Sequence, residues 1–188
     1  PMPPAMSCFT PFPARYWSQG SCEHWDAISG ETYHEEHDVK PHACAKCFMA
    51  CGRLAKLKKG RHKDLKLEGP EYETIYSFGG LCMIKEMEEV AYLNDLCDRI
   101  GVDTISAGNL CGMVMEAKAQ GRIDYDIEYG NADQTIDLIN KIGAREGIGN
   151  ILADGIVPAS KHFGIEDLAI HVKGLEPAGY EPRKLKGM

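Results

Sequence analysis

From Met83 onward the chain repeats apolar residues every three or four positions, whereas its first seventy residues have no period at all. Met83, Ile84, Met87, Val90, Ala91, Leu93, Leu96, Cys97 and Ile100 share one helical stripe, and Gly101 ends it. A second helix runs to about Gln120, with Ser106 or Asp103 as its cap and Gly121 as its stop. A third starts near Asp133 and places Ile136, Ile139 and Ile142 on one face. A fourth starts near Gly147 and carries Ile148, Ile151, Leu152, Ile156, Ala159 and Phe163. Pro158 removes a backbone donor inside that stripe and predicts a kink or break there. No convincing set of strands is visible, so the expected fold is mostly α.

The early part reads differently. The stretches Cys22 to Asp26 and Glu31 to Asp38 mix aromatic and charged residues and read as loops. So long an irregular stretch ordinarily needs a cofactor or a neighbouring domain to order it. The expected organisation is an irregular segment over 1–40, a helical unit over 41–180 and a Gly/Pro-rich linker over 181–188. The chain begins with Pro rather than Met, as a sequence that starts mid-protein would.

With 188 residues the chain can bury a core as one or two domains. The net charge of −7 disfavours nucleic acid as a partner. The basic run Lys56 to Lys63 reads as a solvated loop, the sharper alternative being a patch for an acidic electron-transfer partner. No apolar run is long enough to span a membrane, and the N-terminus lacks the layout of a signal peptide. The eight cysteines include a clustered triplet, which points to reduced thiols in a cytoplasm rather than a disulfide framework.

That triplet is Cys44, Cys47 and Cys51, spaced C-x2-C-x3-C in HACAKCFMACGR. Thiolates so placed can reach one inorganic centre from one loop. An iron–sulfur cluster, a structural zinc and no metal at all remain open, and the spacing favours the cluster. Zinc ordinarily takes four ligands in two separated pairs, and there is no second CxxC. A four-iron cluster takes four thiolates, often three close and one distant. Cys8, Cys22, Cys82, Cys97 and Cys111 are available for that distant place.

A second stretch is GPEYET, Gly69 to Thr74. If extended, it points Glu71 and Glu73 to one side and Tyr72 to the other. It is a solvated loop, or, if buried beside a metal, the source of an acid or base. A third is DRIGVDTISAGN, Asp98 to Asn109. Its aspartates serve as helix-end residues or as acceptors for a heterocycle rich in N–H donors.

In this order, CAKCFMACGR, GPEYET and DRIGVD resemble the aldehyde ferredoxin oxidoreductase family, the tungsten enzymes of anaerobes. DRIGVD is similar to the family's D-x-x-G-L-D motif with Val102 in place of Leu, and DTISAGN, AREGIG and VKGLEPAGYEPR add to the likeness. The resemblance covers roughly residues 40–183 and implies the helical middle domain of a longer enzyme. It implies that Cys44, Cys47 and Cys51 hold a [4Fe–4S] cluster, with the fourth cysteine in a D-x-x-G-L-C motif absent from this chain. It implies that Asp98, Gly101, Val102 and Asp103 contact one pterin of a tungsten (or molybdenum) bis-pterin centre. Glu73 would be the carboxylate near the metal, supported by Tyr72 and Glu71. Cys82 is a candidate for a protein thiolate on the metal, although core packing is the simpler role for it, Cys97 and Cys111. The implied reaction oxidises a small aldehyde to a carboxylic acid and passes electrons to ferredoxin, with the remaining enzyme domains as partners. The alternatives are a non-catalytic iron–sulfur electron-transfer or scaffold subunit and a zinc-stabilised binding module.

Overall fold

In the computed structural model of the chain, residues 12–183 are described. Cys8 and residues 184–188 of the expected linker lie outside the described residues. A short 3-10 turn over Trp25–Ile28 leads into α1 (Gly30–Glu36), which Ser29 caps by accepting the Thr32 backbone N–H at 3.1 Å. Three antiparallel strands follow: β1 (Asp38–His42), β2 (Gly52–Lys56) and β3 (Lys66–Glu68), in that spatial order. The register pairs Asp38 with Lys56 and His42 with Gly52, so the intervening loop carries the whole cysteine triplet.

These early elements correct the expectation of loops without strands. The strands are three to five residues long, and Pro41 in β1 and the exposed Leu54 in β2 interrupt any alternation of apolar and polar residues, so nothing announces them. β1 contains Pro41, which an edge strand tolerates because one of its sides needs no ladder donor. The basic run links β2 to β3 and is matched by the protein's own acids. Lys56 pairs with Asp64 at 2.7 Å, Lys58 with Asp38 at 2.6 Å and Lys59 with Glu36 at 2.5 Å. Arg61 donates from Nε and Nη2 to the two oxygens of the buried Glu89, at 2.8 and 2.7 Å. A patch for an acidic partner is therefore the weaker reading of this run.

The helical part follows the sequence pattern closely. A single turn, α2 (Tyr72–Thr74), widens into a π-helical stretch over Ile75–Leu81, every residue of which is buried. π-helical turns of this kind are often found at functional sites. α3 (Met87–Ile100) buries Met87, Val90, Ala91, Leu93, Leu96 and Cys97. It starts after Met83 and Ile84 because Met83 adopts a positive φ of 62° and Ile84 hydrogen-bonds back to the Phe78 carbonyl. Gly101 ends α3 in the left-handed conformation, φ 80°, where a side chain would be strained.

α4 (Thr104–Ala119) is the central helix. Its residues 107–115 are all buried, which is why it shows no polar face. Its cap is Asp103, whose carboxylate accepts the Ser106 backbone N–H at 2.8 Å. α5 (Ala132–Ala144) is capped by Asn131. α6 (Ile148–Leu152) and α7 (Ile156–Phe163) replace the single fourth helix. The break falls at Gly155, not at Pro158. Pro158 sits in the first turn of α7, where backbone N–H groups have no intrahelical partner and Pro is tolerated. The architecture is mostly α, and no helix among the described residues is long and apolar enough to cross a membrane.

Candidate cofactor cleft and thiol loop

A cleft of about 610 Å³ opens where the end of β3, the start of α2, the C-terminal half of α3 and the start of α4 converge. Glu73, Asp98, Val102 and Asp103 all line it, together with Glu68, Glu71 and Asn94. Three of the four residues expected at a pterin thus meet the carboxylate expected near the metal, although twenty-five positions separate Glu73 from Asp98. Gly101 does not share that wall: its part is the turn that swings Val102 and Asp103 into the cleft.

Local structure explains each placement. Glu71 is extended but Tyr72 and Glu73 are already helical, so the stretch is not the extended one expected, yet Glu71 and Glu73 both line the cleft. Glu71 occupies the cap position of α2, and Glu73 reaches across the fold to accept the Gly179 backbone N–H at 2.9 Å. Burial raises the Glu71 carboxyl above the ordinary carboxylate range; Arg53 opposes that shift and Glu68 adds to it. At Asp98, desolvation followed by repulsion from Asp95 and Glu68 raises the carboxyl, and a hydrogen bond from Asn94 opposes it. Asp103 spends one oxygen on the α4 cap and turns the rest of its carboxylate to the cleft.

Asn94 lies outside every motif stretch, and Thr74 and Thr104 are unassigned members of two of them, yet the three form the floor. Asn94 donates from Nδ2 to the Glu68 carbonyl at 2.9 Å and to Asp98 at 3.1 Å, and accepts from the Thr74 hydroxyl at 3.2 Å. Thr74 and Thr104 share a further hydrogen bond at 3.0 Å. One signal in the sequence was available: Asn94 stands four residues before Asp98, on the same face of a helix.

Cys44, Cys47 and Cys51 are exposed on the β1–β2 loop, whose path includes left-handed residues at Lys46 and Ala50. The Arg53 guanidinium donates to the carbonyls of Ala50, Cys51 and Gly52 at 3.1, 2.8 and 2.8 Å and so fixes the loop's return. Among the described residues no three His, Cys, Asp or Glu side chains stand close enough together to hold a metal ion. The loop nonetheless offers three accessible thiols of the right chemistry, with no competing disulfide. Cys51 and Arg53 also line a second cavity of about 360 Å³, walled by the rings of Trp25, Tyr33, Tyr72 and Tyr180. Glu71 lines both cavities and so joins the thiol side to the carboxylate cleft.

The other described cysteines belong to packing. Cys82, Cys97 and Cys111 are buried, and burial pushes the Cys97 thiol up to about 12. The Cys82 thiol donates to the Gly108 carbonyl at 3.3 Å, which accounts for it without a metal. Burial also raises Cys22, to about 11, beside His24.

In overall shape the chain matches the active site complex BamBC of benzoyl coenzyme A reductase, with a TM-score of 0.75 over 92% of this chain and 27% of that one. At 20% identity this likeness shows a shared, mostly helical fold. The family model described as aldehyde ferredoxin oxidoreductase, domains 2 and 3, matches residues 3–188. The tungsten-containing aldehyde ferredoxin oxidoreductase of Pyrococcus furiosus is 30% identical over 183 residues, and that of Thermococcus kodakarensis 31% over 184. An aliphatic sulfonate oxidoreductase, WOR-like subunit, of Pyrococcus furiosus is 30% identical over 140 residues, 69% of this chain and 22% of that one. The chain belongs to the aldehyde ferredoxin oxidoreductase family. The two aldehyde enzymes are matched over 94% of this chain, which spans 30% of their own length.

Proposed function

We propose that residues 41–180 form the cluster- and pterin-binding unit of a tungsten or molybdenum bis-pterin, [4Fe–4S] oxidoreductase. The enzyme oxidises an aldehyde to a carboxylic acid and passes the electrons to ferredoxin in the cytoplasm; residues 181–188 lead toward a C-terminal domain. The observation that carries this reading is the single cleft in which Glu73, Asp98, Val102 and Asp103 meet. Asp98 and Asp103 would hold the N–H edge of a pterin, since carboxylates accept several such bonds and strengthen them by charge. With its carboxyl raised by desolvation and then by Asp95 and Glu68, Asp98 gains from donors brought by a ligand. Cys44, Cys47 and Cys51 would supply three thiolates to the cluster, and the fourth would come from outside these residues.

When bound, the metal–dithiolene centre supplies the two-electron redox chemistry. Oxidation of an aldehyde with water to a carboxylic acid releases two electrons and two protons. Glu73, its other oxygen held by Gly179, would take one proton at a fixed point beside the substrate and return it to water. The sulfonate-named relative widens the substrate question, so alkyl sulfonates belong in the assay beside small aldehydes.

The test is metal analysis and turnover of the enzyme carrying this chain, with saturating substrate and an artificial acceptor. Tungsten or molybdenum together with iron and sulfide is expected. Iron and sulfide alone would make it an electron-transfer subunit, and zinc alone a binding module. Glu73→Gln should lower kcat by about 10² to 10⁴ with metals retained, the ordinary worth of general-base help. Glu71→Gln should cost much less. Full turnover by Glu73→Gln would remove Glu73 from the chemistry.

A further inference from the structure

The segment Glu176–Tyr180 is tied to α2, to the π-helical stretch and to α4 by hydrogen bonds with side chains from each of them. Tyr72 donates its hydroxyl to the Gly179 carbonyl at 2.6 Å, while Glu73 accepts the Gly179 N–H at 2.9 Å. One peptide-bearing residue is therefore gripped on both its polar groups by two adjacent residues of GPEYET. Tyr76 donates to the Pro177 carbonyl at 2.7 Å, and Ser106, in the first turn of α4, donates to Glu176 at 2.9 Å. The Tyr180 ring leans on Tyr72, with centroids 5.5 Å apart.

Gly179 is buried, and a Cβ at this position would fall 2.5 Å from the Tyr76 ring. Only glycine lets the backbone come near enough to give its N–H to Glu73. Position 179 lies 106 residues beyond Glu73, so nothing in local sequence requires this contact.

We infer that Gly179 is a positioning residue for the oxidation: its backbone N–H, held in place by Tyr72 and by the close approach to Tyr76, sets the orientation of the Glu73 carboxylate. The inference rests on the reading of Glu73 as the proton acceptor. A carboxylate with one oxygen anchored keeps the other aimed at the reacting atoms, and a misplacement of about 1 Å can cost about 10²-fold in rate.

The test uses Gly179→Ala and Tyr72→Phe in the metal-replete enzyme, with Glu73→Gln alongside. Gly179→Ala pushes the backbone off Tyr76; kcat should fall about 10²-fold. Tyr72→Phe removes one hydrogen bond from the strap without adding bulk, so it reports even where Gly179→Ala fails to fold. It should lower kcat about three- to tenfold, the worth of one neutral hydrogen bond. In both variants KM and metal content should stay as in the wild type, so that the loss falls on kcat alone, as misorientation of a reacting group requires and a loss of binding or folding does not. A folded Gly179→Ala or a Tyr72→Phe enzyme with wild-type kcat, or one whose KM rises with kcat unchanged, beside an inactive Glu73→Gln, overturns this inference and leaves Glu73 as the base. A fully active Glu73→Gln overturns the reading of Glu73, and this inference with it.

Discussion

Asp98 shows how one residue can be costly to the fold and useful to the site. It stands at the exposed end of α3 with its carboxyl raised by desolvation, Asp95 and Glu68. A carboxyl whose pKa is raised by folding contributes stability that is present at low pH and is lost as pH rises through the folded value. Asp98→Asn removes that penalty and keeps an oxygen for Asn94. In the cofactor-free protein the variant should unfold at higher urea than the wild type at pH 7, and the difference should vanish below about pH 4, where the aspartate is protonated even when unfolded. The loaded enzyme should respond in the opposite direction: cofactor occupancy should fall, since an amide is a weaker acceptor than a carboxylate for N–H groups. A wild-type cofactor content would reduce Asp98 to a helix-end residue.

At the scale of elements, the contact between α4 and the π-helical stretch sets the geometry of the cleft. Asn109 is fully buried on α4 and joins three parts of the chain. It accepts the Trp17 indole N–H at 3.1 Å and donates to the Tyr76 hydroxyl and the Ile105 carbonyl, each at 2.9 Å. Asn109→Ala leaves the indole N–H without its acceptor in the core and costs about 1–3 kcal/mol for each buried group left unpaired. A lowered thermal midpoint should report this, and the strap on Tyr76 should loosen with it. A midpoint equal to that of the wild type would mean that the core rearranges to satisfy these groups without Asn109. The motif stretch DTISAGN thus has a structural member at its end and a cleft member at its start.

At the scale of the whole molecule, the thiol loop projects away from the helical core. Phe48 and Met49, between Cys47 and Cys51, are 94% and 66% exposed, so the loop is not closed over by the described residues. The chain spans 30% of its relatives' length, and under the proposed function the fourth thiolate would come from outside these residues. Cys47→Ala in that enzyme should lower iron content and alter the EPR signal of the reduced state. Cys97→Ala should leave both unchanged, since that thiol is enclosed by the helical core. Wild-type iron in Cys47→Ala would exclude the triplet as cluster ligands.

What the sequence determined by itself was whatever repeats or clusters locally. The apolar stripes of α3 and α5, the cap and stop of α4, the stop at Gly101 and the spacing of Cys44, Cys47 and Cys51 are all properties of neighbours along the chain, so they can be read without coordinates. The short strands escaped, because their three to five residues, the exposed Leu54 and Pro41 on an edge leave no period-two pattern. The helix break moved from Pro158 to Gly155 because a proline in a first turn forfeits no helical bond. Only the tertiary structure decided that Asn94, Thr74 and Thr104 form the floor of the cleft, and that Gly179 meets Glu73 from 106 residues away. Those contacts come from packing between distant segments, where a hydrogen-bond partner is selected by which surfaces the core brings together.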